Sequence, residues 1–98
     1  KDLNKTTMDE IEKDREIDKK IVAPLWDGLN ICFKINMRTK PFRHFFVRPD
    51  SATFEKVRKY KVKIIYILKT VYGEQYDLEV YDDTKCLCVY KGSWDPIV

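Results

Sequence analysis

The chain has 98 residues, with 19 basic against 16 acidic side chains and a formal net charge of +3. That balance is too even to name nucleic acid or an anionic membrane as its partner, and no apolar run approaches the roughly 20 residues of a membrane-spanning helix. At 44% hydrophobic and 13% aromatic residues it has the material for one folded core, which excludes disorder throughout.

Lys1 to Lys20 is dense in charge, and Thr7 with Glu10 three residues on has the form of a capping box. Met8, Ile11, Ile17 and Ile21 make a thin apolar stripe. It reads either as a surface helix lying on the domain or on a partner, or as a largely flexible segment. Pro24 is expected to end it, and Ile21, Val22, Leu25 and Trp26 to tether it. Residues 1–26 are thus read as a charged helical extension and 27–98 as the folded domain.

Leu29, Ile31, Phe33, Ile35 and Met37 alternate with Asn30, Cys32, Lys34 and Asn36, which predicts a half-buried first strand. Arg38 to Pro41 supplies a turn, and Phe42 to Val47 reads as a second strand that is apolar on both faces. Asp50 or Ser51 can cap the next element, read as a helix from Thr53 to Val71 stopped by Gly73, although Lys61 to Thr70 is rich enough in β-branched residues to form a strand in isolation. Tyr76 to Tyr81 and Cys86 to Tyr90 alternate as strands three and four around an Asp82-Asp83 turn, followed by the tail Gly92 to Val98. The predicted order is ββαββ behind a charged helix, an α+β fold in which one helix crosses one sheet. Cys86 and Cys88 sit too close along a strand to bridge comfortably. With no leader-like segment either, a soluble intracellular protein with reduced thiols is expected.

The stretch Val47-Arg48-Pro49-Asp50-Ser51-Ala52-Thr53-Phe54-Glu55-Lys56-Val57-Arg58 resembles the segment of ubiquitin that leaves strand two and enters the helix. Within the ubiquitin-like β-grasp folds, Arg43, Thr53, Arg58-Lys59-Tyr60 and Asp82-Asp83-Thr84-Lys85-Cys86-Leu87 are similar to the RAWUL domain of Polycomb-group RING finger proteins. That resemblance implies a nuclear, non-catalytic module binding a co-repressor or scaffold subunit in a chromatin-repressive complex. It also implies a fifth strand, for which only Ser93 to Val98 remain; a strand exchanged with another subunit would make a homo- or heterodimer.

The expected partner surface is strand two, with Phe42, Arg43, His44, Phe45 and Phe46. The ubiquitin-like register turns Phe45 and Val47 inward and leaves Phe42, His44 and Phe46 on the outer face of an edge strand. The alternative is a nucleic-acid adaptor using Lys56, Lys59 and Lys63 on the basic helix. His44 is the only histidine and has no triad spacing, so no catalytic residue is expected. Cys86, Cys88 and His44 fall short of a closed zinc site, and three scattered glycines build no phosphate loop, so no metal or cofactor is expected.

Overall fold

The computed structural model describes residues 2–92, with side chains from Met8 onward. A helical rod opens the chain: α1 (Asp2–Ile17), a π-helical turn (Asp18–Val22) and α2 (Ala23–Arg38). Ile17, Val22 and Ala23 all keep right-handed helical dihedrals, so the rod is unbroken and spans about 55 Å by its rise per residue. It has already begun at Asp2, upstream of the capping box expected at Thr7.

Pro24 does not end the rod; it sits in the first turn of α2. Proline has no N–H for the carbonyl four residues back. The widened turn before it bonds Ala23 N–H to Asp18 O, five residues back, and so absorbs the gap. The same turn resets the apolar stripe. Ile17 and Val22, five apart, both face the core, and Leu25, Trp26, Leu29, Phe33 and Met37 continue that face at helical spacing.

The predicted first strand is therefore α2. Its alternation is real but divides into two helical ridges: Leu29, Phe33 and Met37 lie inward, while Ile31 and Ile35 are 71% and 74% exposed. The period of 3.6 carried in from Val22, Leu25 and Trp26 overrides the period of two. With that strand gone, the ββαββ order becomes one strand, two helices and two strands behind the rod. The rod also runs straight through position 26.

The remaining elements are β1 (Phe45–Val47), α3 (Ser51–Lys59), α4 (Lys61–Tyr72), β2 (Tyr76–Tyr81) and β3 (Cys86–Lys91). Asp50 caps α3, accepting a 2.8 Å hydrogen bond from Thr53 N–H. The expected long helix is interrupted at Tyr60, whose φ of −109° and ψ of 29° leave the helical region. Gly73 closes α4 at φ 138° and ψ 155°, a conformation essentially confined to glycine. The expected strands three and four coincide with β2 and β3 within a residue, whereas strand two is shorter than expected, at three residues.

The fold is α+β, with an antiparallel sheet ordered β1-β3-β2. Phe45 opposes Val89 and Val47 opposes Leu87 on one side of β3; Leu78 and Val80 oppose the same pair on the other. These six side chains make the inner face, packed with Phe54, Val57, Ile64 and Leu68 from α3 and α4 and with Leu29 and Phe33 from α2. A closed ring of aromatics stitches the layers: Trp26, Phe33, Phe45, Phe42, Tyr76 and Tyr72, each 5.1 to 6.5 Å from the next around the circuit. Five of the six contacts are edge-on, in which a positive ring edge meets a negative ring face, and the Trp26–Tyr72 contact is tilted. Lys63 bridges to Asp14 at 2.9 Å and Asp18 at 2.8 Å, fastening the rod to α4. Trp94 and the expected fifth strand lie outside the described residues.

Candidate functional site

Helices cover one face of the sheet, and alternation along each strand sends every second side chain to the other. Phe46, Cys88 and Glu79 form a row across that outer face, flanked by the pairs Tyr81 with Cys86 and Asp77 with Tyr90. Phe46 is 58% exposed, whereas its neighbour in the strand, Phe45, is 9% exposed. The Phe46 ring lies 5.8 Å from His44 and 6.2 Å from Tyr81, so three rings form one solvent-facing patch over β3.

Of the five residues expected to bind a partner, Arg43, His44 and Phe46 are exposed. Phe45 is in the core, as the register requires. Phe42 is a correction: it turns inward, 6.1 Å from Phe45 and 5.1 Å from Tyr76. The alternation that would send it outward operates only within a strand, and β1 begins three residues later. Tyr81 belongs to the patch although sequence reasoning passed over it. Its signal was its place beside Asp77 and Glu79 on the polar face of β2.

Electrostatics divide the outer face. Asp77 and Glu79 stand on β2, and Asp82 and Asp83 follow in its turn, while Arg48 reaches Cys86 from the end of β1. Burial, with Asp77 and Glu79 nearby, pushes the Tyr90 hydroxyl above its usual range. Burial and then Glu79 push the Cys88 thiol up as well. A hydrogen bond from Arg48, then one with Thr84, holds the Cys86 thiol below its usual range. Two cysteines on one strand face thus have opposite acid-base character.

The basic helix is less available than its sequence implied. Lys63 is engaged by Asp14 and Asp18, which raise its pKa. Lys59 lies over the Tyr60 ring at 5.5 Å, and Arg58 is paired with Glu55 and Asp82. Of the three lysines, Lys63 is held to the rod, while Lys56 and Lys59 are exposed. Among the described residues, no three His, Cys, Asp or Glu side chains are grouped to hold a metal ion. A groove of about 410 Å³ runs between α2 and the segment after β1, with Leu25, Leu29 and Val47 below and Lys20, Arg48 and Lys56 at its rim.

The side of β1 away from β3 pairs with no strand among the described residues, leaving its backbone donors and acceptors as a free edge beside the aromatic patch. No family model, curated protein or solved structure matches this chain.

Proposed function

We propose that this chain is a non-catalytic protein-interaction module that receives a partner segment along β1 and over the outer face of its sheet. The observation that carries the reading is Phe46, more than half exposed between His44 and Tyr81 on a strand with a free edge. An added strand gains main-chain hydrogen bonds from such an edge, and rings beside it supply side-chain specificity. The acidic β2 side favours a partner carrying a basic residue next to an apolar one.

In its narrower form the proposal is a ubiquitin-like, RAWUL-type module that joins a co-repressor or scaffold subunit in the nucleus. That form rests on Arg43, Thr53, Arg58-Lys59-Tyr60 and the Asp82 to Leu87 turn. Against it stands the helical state of Leu29 to Met37, where a β-grasp needs its first strand.

The test is affinity capture from cell extract with the wild-type chain and with Phe46→Asp, the two matched for thermal stability. Proteins retained by the first and lost by the second support the interface; identical captured sets overturn it. Treating the extract with nuclease and comparing Lys56→Glu with Lys59→Glu separates the nucleic-acid alternative, which predicts salt-sensitive loss in both. Lys63 is a poor choice for that comparison, because reversing it would break its pairing with Asp14 and Asp18.

A further inference from the structure

The outward ridge of α2 has a pattern of its own, independent of the sheet. Ile31 and Ile35 are one helical turn apart and project into solvent at 71% and 74% exposure. Gly28 lies one turn before Ile31 on the same side, and a Cβ built there would meet nothing within 4 Å, so the ridge has an open notch. Asp27 and Lys34 flank Ile31 on this face; both are exposed, and neither makes an ion pair among the described residues.

These positions are spaced symmetrically about Ile31. Asp27 and Gly28 precede it by four and three residues, and Lys34 and Ile35 follow it by three and four. A second copy laid antiparallel with its Ile31 against this one brings each Lys34 to the other Asp27 and each Ile35 over the other Gly28. The mean spacing of 3.5 is the one that keeps two helices in contact along their length. A parallel arrangement would instead place Asp27 on Asp27 and Lys34 on Lys34. The surface is therefore complementary to itself in one orientation, as an isologous two-fold interface demands.

We infer that the Asp27 to Ile35 ridge of α2 is a self-association surface, on which two copies of this chain pair antiparallel about Ile31. One helix face buries less than the area of a permanent dimer, so the pairing is reversible and dependent on concentration. It leaves the outer sheet face free on both copies.

Sedimentation equilibrium from micromolar to millimolar protein tests this directly. The wild-type chain should associate to a dimer, and Ile31→Glu should remain monomeric. Asp27→Lys and Lys34→Asp should each weaken association at least about tenfold, since each turns two attractive contacts into two repulsive ones. The double variant, or an equimolar mixture of the two single ones, should recover it. A wild-type chain that stays monomeric throughout overturns the inference, as does a double variant no better than its parents. Phe46→Asp should leave association unchanged; loss there would move the interface to the sheet and overturn the assignment to α2.

Discussion

The Tyr72 hydroxyl donates a 2.6 Å hydrogen bond to Asn30 Oδ1, joining the end of α4 to the middle of α2 across 42 residues of sequence. Asn30 looked like the polar partner of an alternating strand; it makes a polar contact between two helices.

Removing that bond from the tyrosine side, Tyr72→Phe, should cost about 1 kcal/mol, with Asn30→Ala costing a similar amount and the double variant less than the sum. Burial holds the Tyr72 pKa above its ordinary 10.0. The folded chain then keeps this proton more tightly than the unfolded one, so the contribution is complete below pH 10 and is lost as pH rises through the folded value. Lys63 and Tyr90 are shifted upward in both proteins, so the difference between wild type and Tyr72→Phe isolates this group. Denaturant unfolding across that range checks it.

Adjacent phenylalanines in β1 should behave oppositely. Phe45→Ala removes a ring from the core and should cost about 3 to 5 kcal/mol, a large part of the roughly 5 to 15 kcal/mol that stabilises a small domain. Phe46→Ser should change stability by less than about 1 kcal/mol, because that ring is more than half exposed and keeps only surface contacts with His44 and Tyr81. Equal losses in a thermal melt would contradict the assigned faces.

The two thiols of β3 should separate chemically. Iodoacetamide reacts with thiolate, so Cys86, assisted by Arg48, should be alkylated before Cys88, which is buried and held protonated. Arg48→Gln should slow Cys86 and leave Cys88 unaffected. Peptide mass mapping over a time course reads both rates.

Gly73 should resist replacement. At φ 138° and ψ 155°, an added Cβ is strained even though its nearest neighbours, in the Tyr76 ring, are 3.6 Å away. Gly73→Ala should destabilise by about 1 to 3 kcal/mol, measured by urea unfolding.

The elements after Pro49 were legible because local chemistry settles them: the Asp50 cap, the spacing of Phe54, Val57, Ile64 and Leu68, the Gly73 stop, and alternation about a tight turn. The break at Tyr60 was not, since neither Gly nor Pro marks it. Leu29 to Met37 misled because apolar residues at every second position satisfy a strand and two opposite ridges of a helix equally well. The deciding information lay outside the segment, in Val22, Leu25 and Trp26, whose face Leu29 and Phe33 extend. The aromatic patch was half visible: alternation gave Phe46 its outward face and Phe45 its inward one, while Phe42 depended on where β1 begins and Tyr81 on how β2 registers with β3.

The π turn also gives the rod an unusual tolerance. Shortening an ordinary helix by one residue rotates everything upstream by about 100° against everything downstream. Between Asp18 and Val22 the surplus residue is already built in. Excising one position there would let Ile17 and Leu25 keep their orientation, at the cost of returning to Pro24 the unmade bond that the wide turn now absorbs.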